Sequence, residues 1–226
     1  LEGYLVDKAS VEKFDIKTLD DFKRDDVKAA FDRDGDGKAD YAVWDSASSR
    51  LIWRESRSGT RRRATPPLTP AWPAPGDYAG RGRVQPAWYA PVARRWCVQV
   101  RSGQPAEIVP LWPRITDGVP VPADYTGDGK TDYALFDPET GVIHVWDAVT
   151  RDHWQSPPRS RAWLPAPADY DGDGKCDFAW YHPRTRQLHL IYTDPAVAAE
   201  TIDLSVQLPR GARPVATPAP ALFRAP

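Results

Sequence analysis

Short aromatic and β-branched runs recur along the chain, each bounded by polar residues, glycine or proline. Residues 133–136 (Tyr-Ala-Leu-Phe) form one such run, a polar turn follows at 137–141, and residues 142–146 (Val-Ile-His-Val-Trp) form the next. Runs of this length and composition favour strands over helices, which need a longer apolar stripe. A less regular run near 154–156 comes next, so the pattern predicts strand, turn, strand, strand.

Alternating prolines predict a further strand before each glycine-rich loop. The segments are 72–75, 119–122 and 164–167, each with proline at its second and fourth positions. Because proline has no N–H, two hydrogen-bond donors are missing from the same side of the strand. We therefore predict an edge strand there, with its prolines facing a central channel.

The glycine-rich loops recur at nearly constant spacing. They occupy residues 32–40, 77–85, 124–132 and 169–177, and begin 45, 47 and 45 residues apart. A fixed period of this length indicates a repeat architecture in which each repeat is one supersecondary unit. Each repeat therefore contains an edge strand, a loop and three further strands.

Three of the four loops carry aspartate at positions one, five and nine, with glycine at positions four and six. Carboxylates in a tight loop suit a hard cation, and oxygen-only ligation favours calcium over zinc or copper. An EF-hand would need a glutamate at position twelve, where Val43, Leu135 and Trp180 stand. A metal-free Asp-Gly turn is the alternative, and its repetition in three loops argues against it. A main-chain carbonyl near position seven could complete the shell. The predicted metal residues are Asp32, Asp34, Asp36, Lys38 and Asp40; Asp124, Thr126, Asp128, Lys130 and Asp132; and Asp169, Asp171, Asp173, Lys175 and Asp177.

The second loop has lost most of these carboxylates. Asp77 remains, but Ala79, Arg81 and Gln85 stand at positions three, five and nine. We expect this loop to fold without metal, with the guanidinium of Arg81 or Arg83 acting as a tethered cation beside Asp77.

The two ends of the chain resemble complementary halves of one repeat. Residues 214–220 resemble the proline strand, and residues 221–226 resemble the strand that follows a loop. The N-terminal segment 3–7 resembles 141–147, which lies in the second half of the third repeat. The termini are therefore expected to meet in one repeat.

These features together predict an all-β fold, a five-bladed β-propeller of four-stranded antiparallel blades. The propeller would form a single domain over residues 1–226, with one blade assembled from residues 203–226 and 1–20. Pairing of the two termini in that blade would close the ring. An open segment of a longer array is the alternative.

The motif Asp-Tyr-Asp-Gly-Asp-Gly-Lys-x-Asp followed by Phe-Ala, at residues 169–179, resembles the FG-GAP or VCBS repeat family. The resemblance covers nearly the whole chain and implies calcium in the blade loops, about three ions here. It also implies propellers like those of integrin heads, bacterial surface proteins and some fungal lectins. Thr126 departs from aspartate at the third position, which implies weaker binding through its hydroxyl or a carbonyl.

Composition adds expectations about compartment. The net charge is −1, the chain contains no methionine, and no stretch approaches the 18 apolar residues of a membrane span. Weak calcium loops fill at extracellular calcium concentrations. We expect a secreted or cell-surface protein, or part of a larger secreted one. Two small buried thiols are favoured over a disulfide for Cys97 and Cys176.

Other candidate chemistry is weaker. His144 and His189 stand where the other repeats have Ile52 and Cys97, so a packing role is favoured. Arg50, Arg54, Arg57, Arg61, Arg62 and Arg63 form a basic cluster, favoured as a solvated outer strand over a nucleic-acid or acidic-glycan site. No G-x-S-x-G motif and no phosphate loop occur.

The sequence therefore predicts a binding module that is not an enzyme, lectin-like or adhesive, with a glycan or protein ligand and no nucleic-acid partner. A purely structural or docking domain of a larger surface protein is the alternative. A glycoside hydrolase is a weaker alternative, because the proline strands lack the paired carboxylates that such an enzyme needs.

Overall fold

The computed structural model describes residues 41–45, 49–55, 57–101, 103–111, 115 and 117–204. The predicted first loop and the predicted terminal blade segments 1–20 and 205–226 lie outside these residues. All regular elements among the described residues are strands. No helix long and apolar enough to cross a membrane is found among them.

The strands form one three-stranded and three four-stranded antiparallel sheets. The first contains β1 (Tyr41–Asp45), β2 (Arg50–Arg54) and β3 (Arg61–Ala64). The second contains β4 (Trp72–Pro73), β5 (Ala87–Ala90), β6 (Arg95–Val98) and β7 (Glu107–Pro110). The third contains β8 (Val119–Pro120), β9 (Tyr133–Asp137), β10 (Val142–Trp146) and β11 (His153–Gln155). The fourth contains β12 (Leu164–Pro165), β13 (Phe178–His182), β14 (Gln187–Ile191) and β15 (Glu200–Asp203).

The proline strands lie at the edges, as the missing N–H groups predict. In each four-stranded sheet the strands follow one another in chain order, with β4, β8 or β12 at one end. Their prolines, Pro73, Pro120 and Pro165, pair with residues of the following strand. The all-β class and the four-stranded repeat are thus confirmed, whereas ring closure and the number of five blades stay predictions.

The chain divides into two compact units, Leu1–Pro110 and Leu111–Pro226. In the first unit, the first two sheets bury Leu51, Ala64, Ala71, Trp88 and Cys97 together. A single domain over the whole chain stays a prediction.

In the second unit, the third and fourth sheets pack face to face. The indole N–H of Trp180 on β13 donates a 3.0 Å hydrogen bond to the carbonyl of Gly141, and Trp180 is fully buried. The shared core contains Val121, Tyr125, Ala134, Phe136, Ile143, Val145, Cys176, Phe178 and Trp180. The aromatic strand after each loop therefore serves packing between sheets, as its composition predicts.

Candidate metal loops

The aspartate at position one organises each acidic loop through backbone N–H groups. Asp124 accepts hydrogen bonds from the N–H of Gly127 at 2.6 Å and of Gly129 at 2.8 Å. Asp169 accepts the equivalent bonds from Gly172 and Gly174 at 2.7 and 3.1 Å. The four glycines have φ between +78° and +88°, a left-handed conformation that side chains disfavour. The loop thus requires glycine at both positions.

The aspartate at position nine is fully buried and holds the loop to the sheet. Asp132 accepts hydrogen bonds from the N–H of Tyr125 at 2.9 Å, of Thr126 at 3.2 Å and of Ala148 at 2.9 Å. Ala148 lies two residues after the end of β10, so this carboxylate joins the loop to the segment that follows β10. Sequence reasoning assigned Asp132 as a ligand and missed this structural role.

The fourth sheet repeats the arrangement. Asp177 accepts hydrogen bonds from the N–H of Tyr170 and of Thr193, each at 2.9 Å, and is fully buried. Thr193 lies in the segment after β14, which corresponds to the segment after β10 in the third sheet. Both buried carboxylates therefore have the same double attachment.

Burial also changes the charge behaviour of these groups. It raises the pKa of Asp132 to about 6, with the charges of Asp147 and Asp124 acting in the same direction. Burial likewise raises the pKa of Asp177, and Asp171 adds to the effect. The carboxylates of each loop repel one another, and a bound cation would relieve that repulsion.

The fourth loop brings three carboxylates together. Ligand oxygens of Asp169, Asp171 and Asp177 all lie within 4.8 Å of one another. Asp173 at position five is not in this cluster; Lys175 Nζ lies 3.8 Å from its carboxylate and the Lys175 N–H donates to it at 2.7 Å. An all-oxygen, all-carboxylate cluster fits a hard divalent cation.

The third loop is similar but lacks one carboxylate. The Thr126 hydroxyl donates a 3.3 Å hydrogen bond to Asp124. Asp128 accepts the N–H of Lys130 at 2.9 Å and lies 3.5 Å from Lys130 Nζ. Asp124, Thr126 and Asp132 therefore stand where the clustered carboxylates of the fourth loop stand. The predicted ligands of the first loop, Asp32, Asp34, Asp36, Lys38 and Asp40, lie outside the described residues.

Neighbouring loops contact each other, which the sequence did not indicate. The N–H of Cys176 donates a 2.7 Å hydrogen bond to the Asp124 carbonyl. A Cβ added to Gly127 would lie 2.8 Å from the Lys175 side chain. The third and fourth loops are therefore mechanically connected.

The tyrosine at position two has an unexpected role as well. The hydroxyls of Tyr78, Tyr125 and Tyr170 each donate to the carbonyl four residues earlier, at 2.8, 2.9 and 2.8 Å. Each ring therefore ties its loop to the proline strand. Repetition of tyrosine at one loop position was the signal in the sequence.

The eroded second loop is held by hydrogen bonds. Asp77 accepts the N–H of Gly82 at 2.6 Å and of Arg83 at 3.2 Å, and the Gln85 side-chain amide at 3.4 Å. The Gln85 amide oxygen accepts the N–H of Ala79 at 3.0 Å, as the ninth aspartate does elsewhere. Among residues 77–85, no guanidinium forms an ion pair with Asp77. These hydrogen bonds therefore hold the loop where a tethered cation was expected.

The remaining candidates occupy structural positions. His144 is buried, and its Nδ1 lies 3.2 Å from His153 Nε2. His189 Nδ1 lies 2.7 Å from the Thr201 hydroxyl. Cys97 and Cys176 are both free thiols and buried, so the expectation of two buried cysteines is confirmed.

Comparison with known proteins agrees with the repeat. Residues 120–180 match the FG-GAP-like repeat, a segment that contains both described acidic loops. The fold is similar to that of a catalytically inactive virginiamycin B lyase from Staphylococcus aureus with quinupristin. The identity is 10%, the TM-score is 0.51, and the match covers 74% of this chain and 53% of the lyase. The chain thus spans about half of the lyase, and the likeness concerns the fold alone. No curated protein sequence matches the chain.

Proposed function

We propose, from the FG-GAP-like repeat at residues 120–180, that this protein is a calcium-stabilised β-propeller module that binds a glycan or protein ligand outside the cell. The observation that carries the proposal is the cluster of Asp169, Asp171 and Asp177, whose ligand oxygens lie within 4.8 Å of one another. A cation bound among these like charges would relieve their mutual repulsion.

The fourth loop would hold calcium through Asp169, Asp171 and Asp177, and the third through Asp124, Thr126 and Asp132. Bound calcium supplies positive charge and links groups that would otherwise repel. The loop residues hold the loop in shape: the first aspartate accepts hydrogen bonds from the glycines, and the ninth attaches the loop to the sheet. At a calcium concentration about a hundredfold above the dissociation constant, each site would add about 2.7 kcal/mol of stability.

The proposal includes a closed ring of five blades, with the terminal blade formed by residues 203–226 and 1–20. Two observations support it. The three four-stranded sheets share one strand order, from a proline edge to an outer strand, and the loops recur at a nearly constant period. The first loop, at residues 32–40, would hold a third calcium ion.

We assign no catalytic activity to the protein. The described acidic side chains of the loops are engaged with backbone N–H groups, which suits a structural role. Secretion is proposed because weak calcium loops fill outside the cell. A docking domain without a glycan ligand is the second candidate, and a glycan array in calcium separates the two.

Thermal unfolding in excess calcium and in chelator tests the proposal, with bound metal counted in the folded sample. We expect about three ions, one per acidic loop, and a clear fall of the Tm in chelator. Asp171→Asn should lose one ion, whereas Asp152→Asn, at an exposed turn outside the loops, should keep all. The proposal would be overturned if the folded protein contains no metal and its Tm is the same in chelator as in excess calcium.

A further inference from the structure

Strand β3 places its arginines alternately on the two faces of the first sheet. Arg62 pairs across the sheet with Trp53, and its guanidinium Nε lies 2.9 Å from Glu55. On that same face lie Leu51 and Ala64, which are buried in the core of the first unit. This face is therefore packed at Leu51 and Ala64, whereas Arg62, on the outer strand, is itself exposed and paired with Glu55.

The opposite face carries four exposed arginines. Arg61 pairs directly with Arg54, and Arg63 pairs with Ile52; Arg50 lies two residues before Ile52 on the same side. We call Arg50, Arg54, Arg61 and Arg63 the arginine face. All four are exposed, and none forms an ion pair with a residue in the described ranges.

Strand geometry sets the spacing of these charges. Neighbouring strands lie about 4.8 Å apart, and alternate residues on one strand lie about 6.7 Å apart. Arg61 and Arg63 follow the outer strand, with Arg54 and Arg50 beside them. Asp45 lies opposite Arg50, whereas no described carboxylate pairs across the sheet with Arg54, Arg61 or Arg63.

The outer strand of a sheet stays exposed to solvent even where a neighbouring sheet packs on the same face. In the fourth sheet, the face with Trp180 and His189 packs on the third sheet, yet Thr201, opposite His189 on the outer strand, is exposed. Thr201 corresponds to Arg63, since each pairs with the residue twenty positions after its loop start. Packing of the repeat therefore does not explain arginine at this place.

We propose that the arginine face binds an anionic polysaccharide that carries sulfate or carboxylate groups along its chain. A guanidinium holds such groups through two parallel N–H hydrogen bonds. Arg61 and Arg63, at alternate positions of the outer strand, with Arg54 beside Arg61, fit an extended polymer with regularly spaced charges. This gives the binding module proposed above a ligand class and a surface, and in that sense rests on it.

The overall charge favours a polysaccharide over a nucleic acid. Nucleic-acid-binding domains are strongly basic, whereas this chain has a net charge of −1 and a pI near 6.5. A local basic patch on a near-neutral protein suits a short charged segment. Because the arginines are exposed, salt should weaken the binding strongly.

The test is binding of the full chain, in calcium, to size-defined heparin and polygalacturonate fragments, with neutral dextran as control. We expect at least one anionic fragment to bind, dextran not to bind, and the affinity to fall about tenfold or more between 50 and 300 mM salt. Arg61→Ser/Arg63→Ser should reduce the affinity at least about tenfold. Arg62→Ser, exposed on the same strand but on the opposite face and paired with Glu55, should change it less than about twofold.

Several outcomes would overturn the assignment. Equal losses in the double variant and in Arg62→Ser would show a general charge effect. Tighter binding of single-stranded or duplex DNA than of either polysaccharide would assign the face to nucleic acid. A Tm lowered by many degrees in the double variant would show that the arginines are structural. A Tm that ignores chelator, with polysaccharide binding intact, would instead overturn only the calcium proposal, because no arginine is a metal ligand.

Discussion

Asp132 Oδ1 accepts a 2.9 Å hydrogen bond from the backbone N–H of Ala148, sixteen residues further along the chain. Its other oxygen accepts the N–H of Tyr125, so a single buried carboxylate joins the start of the loop to the end of β10. The ninth position of the loop is therefore a structural link as well as a candidate ligand. Loss of this carboxylate is therefore expected to destabilise the protein even when no metal is bound.

Asp132→Ala should destabilise the protein even without calcium. The change leaves the N–H groups of Tyr125, Thr126 and Ala148 without their acceptor, at a cost of about 3 kcal/mol or more. Asp128→Ala, at the fifth position, should cost less than about 1 kcal/mol in chelator, because Asp128 is exposed. Urea unfolding in chelator measures both, and equal stability of the two variants would refute the structural role.

Gln85→Ala should destabilise the second loop in a way that calcium does not restore. The change removes the acceptor of the Ala79 N–H and a donor to Asp77, so we expect a loss of about 1 to 3 kcal/mol. Arg81→Ala should be within about 0.5 kcal/mol of the wild type. Urea unfolding with and without calcium measures the stability of both variants. A larger loss of stability in Arg81→Ala than in Gln85→Ala would restore the tethered-cation hypothesis.

Gly141→Ala should be strongly destabilising for two reasons. Gly141 has φ of +69°, and an added Cβ would lie 2.2 Å from the carbonyl oxygen of Arg159. Gly103 has φ of +76° with nothing within 4 Å of the added atom, so Gly103→Ala isolates the backbone term. We expect a loss of about 1 kcal/mol for the control and at least about 3 kcal/mol for Gly141→Ala. Similar midpoints of Gly141→Ala and Gly103→Ala in thermal unfolding would show that the segment at Arg159 moves aside to accept the added Cβ.

Stability should fall as the pH drops below the ordinary range of histidine. Burial, with a contribution from His153, lowers the pKa of His144 to about 4, against the opposing charge of Asp137. The unfolded chain takes up the proton near pH 6.5 and the folded protein only near pH 4. This group's contribution is therefore complete above about 6.5 and is lost as the pH falls towards 4.

The comparison with His144→Gln measures that contribution. In saturating calcium, the unfolding free energy of the wild type should fall by about 2 kcal/mol relative to that of His144→Gln between pH 7 and pH 4. Saturating calcium keeps the loop carboxylates in the same state in both proteins. A difference that stays constant with pH would show that His144 takes up its proton at an ordinary pKa in the folded state.

Much of the fold is determined by local sequence. Paired prolines identify β4, β8 and β12 as edges because a missing N–H cannot pair in any context. Aromatic runs and the glycines of each loop predict strands and left-handed turns for equally local reasons. The alternation of Arg61, Arg62 and Arg63 across a strand is also visible in the sequence.

Other features depend on residues that are distant in the chain. No local pattern shows that Asp132 accepts the N–H of Ala148, that the Asp124 carbonyl accepts the N–H of Cys176, or which side of β3 is packed. The last point is decided by Leu51 and Ala64, whose burial against the second sheet leaves Arg61 and Arg63 on the open side. The sequence determined the strands, their edges and the acidic loops, because those depend on backbone chemistry within a few residues. Only the tertiary structure decided which carboxylates are buried links and which arginines lie on the face away from the packed core, because packing between sheets sets burial and long-range hydrogen bonding.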